Sequence, residues 1–147
     1  MNPLSVAASI ISVIGAAAAV AKILKKKLRS ELKSVPDSLS SLINETSDLQ
    51  LVLDASEIAL REWRKSSDKS YLPELFSSVS DILKRMQERL EELSRLANRC
   101  INEGKFEQRS VKVNIRWLKE RSRAKSILSG LKEAKSGLLA LLEAYSL

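Results

Sequence analysis

At the start of the chain, Val6, Ile10, Val13, Ala17, Ala21, Leu24 and Leu28 recur at three- and four-residue steps and so share one face of a helix. Ser5, Ser9, Ser12 and Ala16 form a separate stripe roughly 110° round that helix. The pattern predicts a first helix over about residues 4–33, with its large side buried and its small, weakly polar side turned to water. A second helix is predicted over 37–64. Its apolar face reads Leu39, Leu42, Thr46, Leu49, Leu53, Leu60 and Trp63, and it fades in the polar run Lys65–Ser70. Pro36 suits the first turn, and Asp37 complements the positive end of the helix dipole.

A third helix, over 73–103, opens at Pro73-Glu74 and carries Leu72, Leu75, Phe76, Val79, Leu83, Met86, Leu90, Leu93, Ala97 and Ile101, with Gly104 placed to cap its end. The segment Val111-Lys112-Val113-Asn114-Ile115 alternates strictly and reads as irregular or extended. The helical period returns over 119–145 with Ala124, Ile127, Leu128, Leu131, Ala134, Leu138, Leu141, Leu142 and Tyr145. Four long helices, each with a single apolar face and short connections, predict an all-α, up-and-down antiparallel four-helix bundle spanning 1–147 as one domain.

Composition narrows the chemistry. Four glycines and three prolines in 147 residues leave little material for the turns of a β-rich fold. With no histidine and one cysteine, the chain lacks a histidine base, a Ser-His-Asp triad, a Cys/His zinc site and an internal disulfide. A non-enzymatic protein without cofactor or metal is expected, and Cys100 is expected to be buried in a chain kept in a reducing compartment. The carboxylates Asp37, Glu45, Asp48, Asp54, Glu57 and Glu62 flank the stripe of the second helix and read as solvated.

Charge is unevenly placed. Residues 1–33 carry six basic and one acidic side chain, 34–70 four and seven, 71–104 five and six, and 105–147 ten and four, for a net charge of +7. No charged side chain occurs from Met1 to Ala21, and Lys22, Lys25, Lys26, Lys27 and Arg29 follow that run. This order is the reverse of a secretory signal. As a helix, Leu4–Leu24 measures about 31 Å, close to a bilayer's hydrocarbon thickness, although its many alanines make it a marginal permanent span. The lysines after it match a polybasic segment that meets anionic headgroups, or a solvated helix end favoured by the dipole. Arg116, Lys119, Arg121, Arg123 and Lys125 beside Trp117 form a weaker candidate patch for nucleic acid, which is disfavoured because no nucleic-acid motif accompanies it.

The opening Met1-Asn2-Pro3-Leu4-Ser5-Val6-Ala7-Ala8-Ser9-Ile10-Ile11 resembles the start of the HeLo-like domains at the N-termini of fungal STAND/NLR-type receptors. Pro36-Asp37 before a Leu-rich helix, and Arg116-Trp117 before Ala124–Leu142, are similar to that family's later segments. The resemblance implies a cell-death execution domain of incompatibility and innate immunity, cytoplasmic when inactive and at the plasma membrane when active. It further implies an N-terminal helix that attacks the membrane, and an upstream receptor or activating module, since no phosphate-binding loop is visible in this chain.

The sequence is therefore read as a bundle that buries its first helix, self-associates on command and permeabilises the membrane. Leu4, Val6, Ile10, Ile11, Val13, Ile14 and Val20 are expected to meet hydrocarbon, and Lys22, Lys25, Lys26 and Lys27 to meet anionic lipid. The rival reading is a non-lytic helical interaction module of a signalling receptor whose first helix stays docked.

Overall fold

The computed structural model describes residues 3–28, 37–65, 72–101 and 109–145. Four α-helices account for them: α1 (Pro3–Lys22), α2 (Asp37–Arg64), α3 (Leu72–Ile101) and α4 (Arg109–Tyr145), packed on one another with no strand among the described residues. A π-helical segment, Ile23–Leu28, prolongs α1. The predicted extension of the first helix to residue 33, the entry at Pro36, the polar run beyond Lys65 and the cap at Gly104 lie outside the described residues.

Each helix turns to the core the described part of the face its period marks, with Leu128, Leu141 and Leu142 of α4 half-buried and the Trp63 and Tyr145 side chains outside the description. In α1 the whole stripe from Val6 to Leu28 is buried, and α3 buries Leu75, Phe76, Val79, Leu83, Met86, Leu90, Leu93, Ala97 and Ile101. These join the α2 and α4 stripes in one contiguous core. Cys100 is buried in it. α1 packs between α2 and α3, and α4 packs against the same two, so α1 and α4 occupy opposite corners. Where the start of α1 meets the end of α2 and the start of α3, the residual cavity is only about 20 Å³, bounded by Val6, Ile10, Leu60 and Phe76.

The α3–α4 seam shows the antiparallel register through four contacts that rise along one helix and fall along the other. Gly137 faces Ile82, Gly130 lies under the Arg89 side chain, Arg123 pairs with Glu92 at 3.3 Å, and Arg99 reaches Glu120 at 3.6 Å. An added Cβ on Gly130 would sit 2.8 Å from Arg89 Nε, so glycine there permits the close approach.

Two expectations need correction. Residues 111–115 are helical, inside an α4 that begins at Arg109. No strand among the described residues offers them a partner, so an extended course would leave backbone groups unpaired, whereas β-branched residues lower helix stability by under about 0.7 kcal/mol each. The second correction concerns Glu45, which is buried with 4% exposure and not solvated. Lys135 of α4 lies 2.7 Å from Glu45 Oε1, an ion pair whose alignment falls short of a hydrogen bond. Glu45 sits between Leu42 and Leu49, and Lys135 between Leu131 and Leu138, so the packed stripes bring both charges into the α2–α4 seam.

Removing one member of a buried pair strands the other. Lys135→Met is therefore expected to lower stability by about 3 kcal/mol, and Glu45→Gln added to it to recover most of the loss. Urea unfolding of the single and double variants measures both, and equal loss in the two would remove the pair from the core's energetics. The Trp117 indole is buried with its Nε1 unpaired, so Trp117→Phe, which deletes that donor, should cost far less than Trp117→Ala, about 3–5 kcal/mol. The same unfolding series makes the comparison.

Candidate membrane-interacting helix

α1 is amphipathic in size rather than in charge. Val6, Ile10, Val13 and Val20 are buried in the core, Ile14 is half-buried against it, and Ile11 is 63% exposed. Leu4 lies in α1, but its side chain falls outside the description. Between Val6 and Ala21 the surface α1 gives to solvent is made by Ala8, Ile11, Ser12, Gly15, Ala18 and Ala19, all exposed and uncharged. Across Val6–Lys26 the mean hydropathy is 2.1 and only 33% of the most apolar window is buried. Length and composition suffice to cross a bilayer.

The predicted serine stripe is only partly free. Ser12 is exposed, while Ser9 and Ala16 are half-buried because α3 closes over that side of α1. Between the two helices runs a groove of about 450 Å³, with Ser9, Ser12 and Val13 on one wall and Leu83, Lys84 and Gln87 on the other. Ser5 lies in α1, outside the side-chain description.

The basic segment begins where α1 ends. Lys22, Lys25 and Lys26 are exposed, while Leu24 and Leu28 are fully buried. A π turn is wider than an α turn, so residues four apart stay on nearly the same side; here it holds both leucines in the core and leaves Lys25 and Lys26 outside. The Lys27 side chain is outside the description. At the opposite end of α1, Arg61 donates to Glu57 at 2.6 Å, and that hydrogen bond pushes the guanidinium pKa still further up.

The second basic cluster is changed by the fold. Trp117 is buried at 2% exposure and presents no face for base stacking, Arg116 pairs with Glu120 at 3.5 Å, and Arg123 is held by Glu92. Lys119, Arg121 and Lys125 remain exposed. No group of three or more His, Cys, Asp or Glu that could hold a metal occurs among the described residues.

Nothing in the pattern of residues foretold the π turn or the α1–α3 groove. Both arise from packing partners distant in sequence. Compared with family models, curated proteins and solved structures, the chain matches none.

Because Lys22, Lys25 and Lys26 are exposed, reversing them to glutamate should leave the fold intact. Near an anionic bilayer each lysine contributes about 1 kcal/mol, so vesicle affinity should fall by about a hundredfold or more. Sedimentation with phosphatidylserine vesicles at low and high salt reads the change, and unchanged binding would exclude these lysines from lipid contact.

Proposed function

We propose that this chain is a membrane-permeabilising cell-death execution domain of the HeLo-like kind, held in the cytoplasm as a bundle and acting at the plasma membrane after self-association. The observation that carries the reading is the state of α1: a bilayer-length apolar helix, mostly unburied over its most apolar window and followed directly by exposed lysines. Before Lys22 the described outer face of α1 carries no charged side chain, unlike the outer faces of the other three helices. The resemblance of residues 1–11 to HeLo-like domains supports the same reading.

In this mechanism no residue performs covalent chemistry. Burial of Val6, Ile10, Val13 and Val20 keeps the large face from lipid, and release of α1 exposes it. Leu4, Val6, Ile10, Ile11, Val13, Ile14 and Val20 then enter hydrocarbon, while Lys22, Lys25, Lys26 and Lys27 hold at the headgroups of anionic lipid. Activation belongs to an upstream receptor or activating module.

The tight seating of α1's large face also favours a second reading, a non-lytic interaction module in which α1 never leaves the bundle. Ser12 and Ala19 discriminate between the two. Both are exposed in the bundle, so Ser12→Glu with Ala19→Glu should hardly change the melting temperature. A central charge in hydrocarbon costs roughly 2.5–3.5 kcal/mol on insertion scales, so two in each protomer should oppose insertion strongly. The double variant is expected to stay folded, release little dye from anionic vesicles, and spare a host that the parent kills. A folded variant that leaks vesicles like the parent would show that α1 is not the inserted element; a parent that never leaks them supports the docked module.

A further inference from the structure

Two outer faces of the bundle carry exposed apolar residues within opposite charge. On α2, Leu51 and Ile58 are 68% and 56% exposed, seven residues apart, with Ala55 between them. Asp48, Asp54 and Glu62 flank them within roughly 60° round the helix. Among described residues, Asp48 and Asp54 make no ion pair, and Glu62 pairs with Lys65 at 3.9 Å. On α4, Leu118, Lys125, Lys132 and Leu139 follow one another at seven-residue steps, joined by Arg121 on the same side. Leu118 is 58% exposed and Leu139 45%. Arg121, Lys125 and Lys132 are exposed and make no ion pair with described residues.

Exposed apolar residues are ordinary when scattered singly; on α2, Leu51 and Ile58 lie one heptad apart, whereas on α4, Leu118 and Leu139 lie three heptads apart with Lys125 and Lys132 at the steps between, so charge dominates that seam. The seams differ in net charge: on α2, Asp48, Asp54 and Glu62 outnumber Lys65, which lies seven residues after Ile58, and on α4, Arg121, Lys125 and Lys132 outnumber Glu143. We infer that the acidic outer face of α2 docks onto the basic outer face of α4 of a second copy of this chain. Such a contact is heterologous, because the two surfaces differ, and so each added copy leaves one face of each kind open. Growth continues until a ring closes or a filament forms. α1 contributes no residue to either seam and stands diagonally opposite α4. The inference rests on the proposed function only in naming the contact through which self-association proceeds.

The test uses the whole chain without lipid, measuring mass by sedimentation equilibrium across concentration and salt. The parent is expected to associate, less so as salt screens the charges. Two variants reverse one face each: Lys125→Glu with Lys132→Glu, and Asp48→Lys with Asp54→Lys. All four positions are exposed, and circular dichroism confirms that the fold is kept. Each variant alone sets like charges against each other and should associate about tenfold or more weakly, whereas an equal mixture of the two restores association. Should either reversal prevent folding, Leu118→Gln and Ile58→Gln remove the seams without changing charge and should also weaken association.

A parent monomeric at every concentration and salt, variants of parental mass, or a mixture that stays monomeric would each overturn the inference. Loss of vesicle binding by the α4 reversal with unchanged mass would overturn it too, assigning that face to anionic lipid. Dye release is read separately. Association without leakage upholds the interface and counts against the lytic reading; leakage by variants that no longer associate upholds the interface and shows that permeabilisation does not require it.

Discussion

The seating of α1 between α2 and α3 is the contact on which the rest of the bundle depends. Val6, Ile10, Val13, Val20, Leu24 and Leu28 are at most 2% exposed. At about 1.5–3 kcal/mol for each buried side chain, these six contribute about 9–18 kcal/mol of gross burial, which offsets the conformational entropy of ordering the helix. α1 therefore cannot leave and let the remaining three helices persist as they are. Any state in which it is released must rebury its large face, in lipid or against other protein, and the same magnitude that keeps the resting bundle closed makes an acceptor necessary.

In the proposed mechanism one helix serves both environments, and the opposite face of α1 has the composition that this requires. Alanine, glycine and serine at positions 8, 12, 15, 18 and 19 meet water at little penalty, and they carry no charge that hydrocarbon would reject. Ionised side chains there would improve the soluble bundle and forbid insertion. Charge is deferred to Lys22, Lys25 and Lys26, at the depth where headgroups would lie. The π turn reconciles the two demands at that junction, with leucines in the core and lysines in solvent.

Much of this was legible in the sequence because helical burial is a local, periodic signal. All seven positions assigned to the buried face of α1 are buried, as are nine of the ten assigned to α3, the tenth, Leu72, being outside the side-chain description. What the period could not supply was lateral. The placement of α1 diagonal to α4, the groove over Ser9 and the pairing of Glu45 with Lys135 depend on which helix lies beside which. The position of Glu45 between Leu42 and Leu49 was a usable clue to its burial, and the spacing of Lys135 pointed the same way. The alternation at 111–115 misled because a five-residue β-like run has no force without a strand to pair with.

The account stands on α1 having two homes, and one fluorescence measurement addresses that directly. Ser12→Cys places a reactive thiol on the exposed side of α1, and the native Cys100 is buried, so a polarity-sensitive dye can be attached there selectively. In solution the dye should be quenched by aqueous iodide. With anionic vesicles under conditions that release their contents, its emission should shift to shorter wavelength, iodide should lose access, and a lipid-borne quencher should gain it. A dye that stays open to iodide and closed to the lipid quencher while the vesicles leak would contradict the insertion of α1.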